Sequence, residues 1–404
     1  MWFLYDLGIR LLILGIRIAS PFSPKAKLLI EGRKLQNFSI PDQDRPVICF
    51  HCSSLGEYEM IVPILNDASF QKKYFIIVTF FSSSGYVHAK WKGLVDAKFY
   101  LPFDKRETMN DFLDGIKPDE FVFVKNDFWF RLIQALADRK IKTVLVNGLL
   151  RPNQFLFTSA GSFFRHQLDS LDTAFVQNVG SAQLLKNSTR LFPAVTNDLR
   201  FDRVFDICQQ AQSLDLLEDF KQGKPLLILG SSWPTEEKML LSIFESVKPY
   251  YKIVIAPHDI STKHVGELRN QFSGSVVNLW SDEANPASDI LIIDSIGLLA
   301  SSYRHADVAL IGGGFGKGLH NILEAASYGM PIFCGPKIGR FQEAKDLEEL
   351  LVLRTFNSSY QLLKGLNEFV NDSDKRLAVK QTAYNYVREH TGARHKILDY
   401  FLQS

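Results

Sequence analysis

The sequence predicts an α/β protein made of two doubly wound domains, one after the other. From Arg45 onward short apolar runs alternate with amphipathic stretches, as parallel strands do when crossover helices join them. The runs fall into two series. The first puts strands at 47–51, 75–79, 121–124, 143–146 and 173–176, and the second at 226–229, 252–256, 290–293, 308–311 and 331–333. Between them residues 202–224 read as helix and close in Gln222-Gly223-Lys224-Pro225, a stop before a new strand. Length agrees: 404 residues, at roughly 150 per domain, make two or three domains with full cores. The expected division is an anchoring helix with a basic segment at 1–34, a first domain at 35–204, a second at 205–385, and a final helix at 386–404 that turns back to the first.

Composition narrows the function classes. Hydrophobic residues at 46% and charged residues at 22% exclude wholesale disorder. Lys+Arg 46 against Asp+Glu 44 leaves a net charge of +2, so there is no global pull on nucleic acid and none is expected as a partner. Four cysteines cannot staple a chain of this size, which excludes a disulfide scaffold and favours a reducing compartment. Phe, at 32 residues, is nearly twice its roughly 4% background share, as thick cores or a lipid-facing surface would require.

The first element, 1–20, reads MWFLYDLGIRLLILGIRIAS and is apolar apart from Asp6, Arg10 and Arg17. Its charges lie inside the run, unlike those of a secretory signal, and three are many for a spanning helix. At about 100° per residue they share a stripe only about 40° wide. Asp6 and Arg10 are spaced i, i+4 and are expected to pair. Pro21 and Pro24 end the helix, and Lys25, Lys27, Arg33 and Lys34 follow as a cluster suited to anionic headgroups. The expected role is a monotopic anchor on the cytoplasmic leaflet. The alternatives are a helix buried against the protein's own core and a true span.

Ligands of open parallel sheets sit beyond the carboxyl ends of the strands, so three loops there hold the candidates. After the first strand comes Cys52-Ser53-Ser54-Leu55-Gly56-Glu57-Tyr58-Glu59. Glu57 at this strand-to-helix corner either serves as a general base or complements the positive end of the new helix; Glu59 reads as a surface acid. After the sixth strand, Gly230-Ser231-Ser232 before a helix start makes either an anion site or an ordinary cap. The third loop, 312–318, holds five glycines in seven residues and leads to His320-Asn321-Ile322-Leu323-Glu324. Such a loop lets backbone approach a ligand, and a helix opening at about Asn321 would offer its N-terminus to a phosphate, with Glu324 near a ribose diol. The glycine spacing fits neither a P-loop nor a strict G-x-G-x-x-G.

Other signals are set aside. Cys49 and Cys52 lie along an apolar strand with no second pair to complete a zinc site, and Asp42-Gln43-Asp44 precedes a strand beside Pro41 and Pro46, as a solvated turn does. No H-E-x-x-H, nucleophile elbow or kinase signature is present. Neither a metal nor a cofactor is expected.

Taken in order, these pieces resemble GT-B glycosyltransferases, and more narrowly the 3-deoxy-D-manno-octulosonic acid (Kdo) transferases of lipopolysaccharide synthesis. The likeness runs nearly end to end: the N-terminal anchor, 51–57, Gln177-Asn178, Gly230-Ser231-Ser232, Ala256-Pro257-His258, Asp294-Ser295-Ile296-Gly297, the 312–324 loop and helix, Gly335-Pro336 and Thr391-Gly392-Ala393. The resemblance implies a GT-B architecture with a cleft between its domains. It implies a metal-independent, inverting transfer of Kdo from CMP-Kdo to the lipid A precursor at the cytoplasmic face of the inner membrane. Glu57 matches the family's catalytic carboxylate. Ser231, Ser232, Pro257, His258, Gly314, Gly316, Asn321 and Glu324 match its nucleotide-sugar side, and Ile296 and Gly297 match a loop near the cytosine.

The chain also departs from the family. Relatives carry Pro-Arg-His-Pro where this chain has Pro257-His258-Asp259-Ile260, so His258 stands in for the expected cation. An acidic Glu-x-Glu-x-Trp-Pro-Asn pattern becomes Lys125-Asn126-Asp127-Phe128-Trp129, and Ala325 follows Glu324 where relatives have Pro. The competing expectations are a GT-B enzyme acting on a UDP-sugar, either transferase or 2-epimerase, and a silent GT-B scaffold. The anchor weighs against the epimerase and Glu57 against the scaffold.

Overall fold

Strands of Val, Ile, Leu and Phe without a polar break are stable only when both faces are covered. In the computed structural model such runs build two parallel sheets of seven strands each among the described residues, 1–272, 274–282, 285–316, 318–370 and 372–403. The first sheet comprises β1 Val47–Cys52, β2 Phe75–Phe80, β3 Ala97–Tyr100, β4 Glu120–Val124, β5 Lys142–Gly148, β6 Thr173–Val176 and β7 Ala194–Val195, in the order β3-β2-β1-β4-β5-β6-β7. The second comprises β8 Leu226–Ser232, β9 Lys252–Pro257, β10 Val277–Leu279, β11 Ile290–Ile292, β12 Val308–Ile311, β13 Ile332–Cys334 and β14 Leu353–Thr355, in the order β10-β11-β9-β8-β12-β13-β14. Each sheet therefore reverses its direction of growth once, between β1 and β4 and between β8 and β12. These are two Rossmann-like domains, the fold class of GT-B proteins. The sequence reading misses β3, β7, β10 and β14, and these four are the sheet edges.

The chain divides into two units, residues 1–203 with 391–404, and residues 204–390. The first has a core on each sheet face. On one face the helices Arg106–Ile116 and Phe130–Asp138 bury Phe112, Leu113, Leu132 and Leu136 against Phe121 and Phe123. On the other, helix Leu55–Leu65 and the C-terminal helix Ala393–Gln403 cover Phe50, Val78 and Phe70. Phe401 of that last helix is fully buried, worth about 1.5–3 kcal/mol. Its carbonyl oxygen lies 2.9 Å from the Tyr74 hydroxyl and accepts from Lys73 Nζ at 2.6 Å.

The N-terminal helix, Trp2–Ala19, has two apolar faces with different fates. Trp2 and Tyr5 pack on the first core, and Ile9 and Ile13 are buried. The Tyr5 hydroxyl donates to Asp104, whose carboxyl is fully buried, also accepts from Arg131 N and Leu132 N at 2.9 Å, and is pushed up by burial to about 6. Asp6 does not pair with Arg10 as its spacing suggests. Both its oxygens accept from Arg131, at 2.9 and 2.5 Å, because that guanidinium is already held over the Trp2 ring at 4.1 Å. On the opposite side Phe3, Leu4, Leu7, Leu11, Leu14 and Ile18 are exposed. At 3.6 residues per turn they form one stripe about 100° wide. Pro24, read as a terminator, instead opens helix Pro24–Lys34 at its first turn, behind the cap Ser23. Among the described residues no helix is long and apolar enough to cross a membrane.

Candidate functional site

Strands β1 and β4 pair side by side where the first sheet reverses, the place where open α/β sheets bind ligands. The turn after β1 delivers Glu57 to the first turn of helix Leu55–Leu65. One of its oxygens, Oε2, accepts from Ser53 N at 2.5 Å, one residue ahead of the helix cap Ser54. The other, Oε1, has no hydrogen-bond partner among the described residues. Partial burial raises the pKa of this carboxyl, and neighbouring Asp127 adds to the rise, against the pull of the Ser53 amide, His51 and Lys125.

The turn after β4 supplies Lys125, in a left-handed conformation (φ 71°), and Asp127. Asp127 Oδ2 accepts from Trp129 Nε1 at 3.1 Å and lies 3.2 Å from His51 Nε2. Thr79 gives its hydroxyl proton to the Phe50 carbonyl, 3.3 Å away, and so accepts from His51 Nδ1 at 3.0 Å. This fixes the ring and turns Nε2 to Asp127. Burial alone would raise Asp127, but hydrogen bonds and charge from His51, with Ser53 and Trp129, bring it below the usual carboxylate range. Two neighbouring carboxyls are thus driven apart, one towards the proton and one away, which is how a general base is separated from a permanent anion. His51 escapes a reading of the sequence because it sits among apolar residues, between two cysteines whose thiols are simply buried.

In the second unit the predicted residues occupy the carboxyl ends of four consecutive strands, β11, β9, β8 and β12. Ile296 and Gly297 form an exposed turn after β11, with Gly297 at φ 97°. Pro257 closes β9, and His258 follows with its N–H on the Ser232 carbonyl at 3.0 Å. The His258 ring stacks on Trp233 at 4.4 Å, and Trp233 Nε1 donates to His320 Nε2 at 3.0 Å. Burial and nearby His258 lower the pKa of His320, which suits that accepting nitrogen.

Ser231 takes a left-handed conformation (φ 50°), and the Ser232 hydroxyl is turned inward, donating to Glu237 Oε1 at 2.7 Å. The helix Pro234–Val247 that follows is not an open anion site. Buried Glu236 accepts from Gly313 N at 2.9 Å, and burial keeps its pKa raised against the pull of its own backbone amide and those of Gly313 and Trp233.

Gly313 itself sits at φ 91°, with no room for a side chain beside the Gly318 carbonyl, and Gly314 packs on the backbone of Gly335. Gly316 faces open space, and Lys317 lies outside the described residues. The helix after the loop begins at Leu323, not Asn321. Asn321 instead uses its Oδ1 to accept from Leu323 N at 3.1 Å, and its Nδ2 donates to Glu324 Oε1 at 3.0 Å, so these two predicted residues meet. Among the described residues no group of His, Cys, Asp and Glu side chains is arranged to hold a metal ion.

Residues 31–203 match the family model described as 3-deoxy-D-manno-octulosonic-acid transferase (kdotransferase). The transferase of that name from Chlamydophila psittaci is 29% identical over 325 residues, 76% of this chain and 72% of its own. The Aquifex aeolicus transferase is 25% identical over 307 residues, 74% of this chain and 78% of its own. In fold the chain is similar to the UDP-GlcNAc 2-epimerase of Neisseria meningitidis (TM-score 0.59, 13% identity, 89% of this chain and all of that one). It is also similar to Acinetobacter baumannii MurG (TM-score 0.55, 12% identity, 89% and 100% covered).

Proposed function

We propose that the chain, similar to the Kdo transferases over most of its length, is a glycosyltransferase that moves Kdo from CMP-Kdo to a lipid A precursor, lipid IVA, inverting the anomeric carbon without a metal ion. The observation that carries this reading is the split pair of carboxyls between β1 and β4, Glu57 raised and Asp127 lowered. A single displacement needs one base on the face opposite the leaving group. Glu57 Oε1 takes the proton of an acceptor hydroxyl as that oxygen bonds to the anomeric carbon, and the bond to CMP breaks with its electron pair. The raised pKa makes Glu57 the better proton acceptor of the two, while Ser53 N holds Oε2 and so aims the group.

Negative charge growing on CMP falls to backbone donors and to His258, on the glycine-loop side of the second sheet. Asn321 and Glu324 are the residues for the nucleotide's ribose, and Ile296 and Gly297 for its base. The exposed stripe of the N-terminal helix supports a monotopic position on the cytoplasmic face of the inner membrane.

The test is Glu57→Gln, which keeps the shape and the Ser53 contact but cannot accept the proton. We expect kcat to fall at least about a hundredfold with CMP-Kdo affinity nearly unchanged. A near-wild-type rate would remove Glu57 from the mechanism and leave Asp127 as the next base to test. Turnover should also survive EDTA.

A further inference from the structure

The end of the N-terminal helix borders a cavity of about 270 Å³. Arg17 of that helix, Lys34 at the end of helix Pro24–Lys34, and Lys105, the cap of helix Arg106–Ile116, stand around it. None of these three side chains has a hydrogen bond or ion pair among the described residues, and one carboxylate, Asp111, shares the wall with them. The rest of the lining is largely apolar, with Ile30, Phe38 and Phe103.

The fourth cation, Arg33, has a different task from the one its place in the sequence suggests. Its guanidinium donates to the carbonyls of Leu101 at 2.8 Å, Phe81 at 2.8 Å and Leu29 at 3.1 Å, and lies within 5.1 Å of the Phe81, Tyr100 and Phe103 ring centroids. Burial lowers its pKa to about 10. Arg33 therefore fastens helix Pro24–Lys34 to the sheet and forms the cavity floor, and the charge offered outward comes from Arg17, Lys34 and Lys105.

Arg17 is also the neighbour of Ile18 and lies one turn after Leu14, at the margin of the exposed apolar stripe. A cationic cavity with apolar walls, set beside an unpartnered apolar helix face, complements an amphiphile with an anionic head. We infer that this cavity seats the phosphate headgroup of an anionic bilayer phospholipid, whose acyl chains lie against the stripe formed by Leu7, Leu11, Leu14 and Ile18. The inference rests on the membrane-docking part of the proposed function, and gives that docking a defined seat rather than a diffuse attraction.

The experiment is vesicle flotation of the full chain with phosphatidylcholine alone and with added phosphatidylglycerol. A cation in diffuse attraction to an anionic surface is worth at most about fivefold, and cations that grip the phosphate should exceed that, so Lys34→Gln with Lys105→Gln should weaken binding to the mixed vesicles by more than about 25-fold and leave phosphatidylcholine binding unchanged. The control pair, Lys25→Gln with Lys27→Gln, removes two exposed cations outside the cavity and should cost far less, with both pairs melting like wild type. Equal losses in the two pairs would overturn the cavity as the seat. Wild type that floats with the mixed vesicles no better than with phosphatidylcholine alone would overturn an anionic phospholipid as the occupant. Wild type that floats with neither vesicle overturns the docking reading as well, whereas turnover on detergent-dispersed acceptor judges the transferase reading separately.

Discussion

Glu57 shows how one side chain answers two demands. As a capping acid it should be ionised and stabilising, yet burial and Asp127 raise its pKa above the ordinary carboxylate value of 4.5. The folded state thus binds this proton more tightly than the unfolded chain does, and stability is lost as pH rises through the folded pKa. Glu57→Gln should therefore melt no lower than wild type near neutrality while losing its rate; a lower melting point with intact turnover would mean that the residue only caps. The rate should rise with pH through the raised pKa, because the base must be ionised, and that acid limb should vanish in Glu57→Gln. A limb that persists in the variant assigns it to another group. The position of Glu57 is legible in the sequence, since a Gly-Glu pair after a strand can hardly lie elsewhere. The split with Asp127 is not, because it depends on His51, which nothing in an apolar β1 marks as polar machinery.

At the scale of the element, the N-terminal helix meets the reading as a core helix on one face only. One face is core and the other is bare, because a helix wide enough to be apolar nearly all round can bury only the part its neighbours reach. The charged stripe predicted between them is present, but its partner is Arg131, over a hundred residues away, and no local spacing rule anticipates a pair of that range. The hydrogen bond from Tyr5 to Asp104 pins the helix. Tyr5→Phe removes a bond to a carboxyl worth about 1.5–3 kcal/mol. For a unit of this size the melting temperature should then fall by about 3–12 °C, and an unchanged transition would show that packing of Trp2, Ile9 and Ile13 holds the helix alone.

For the whole molecule, both sheets are legible in their centres and lost at their margins. Inner strands are covered on both sides and so read as unbroken apolar runs. β7 has two residues and β10 three, and an edge strand needs no such run because part of it meets solvent. The second sheet's nucleotide should be equally testable from outside. CMP at about 100 times its Kd should add about 2.7 kcal/mol to the stability of the unit that binds it, with UDP adding little. Stabilisation by UDP and not CMP would move the chain towards UDP-sugar chemistry.

The closing helix Ala393–Gln403 has a consequence for how the chain is made. Unit 204–390 is continuous and can fold as it leaves the ribosome, but the earlier-synthesised unit waits for residues 391–404, which are made after unit 204–390. Until then the surfaces of Phe50, Phe70 and Tyr74 that Phe401 covers face water, and the nascent chain is held open by its own order of synthesis. The fragment 204–390 should accordingly express as a folded, cooperatively melting domain. The fragment 1–203 should aggregate, and should recover when the peptide 391–404 is supplied during refolding.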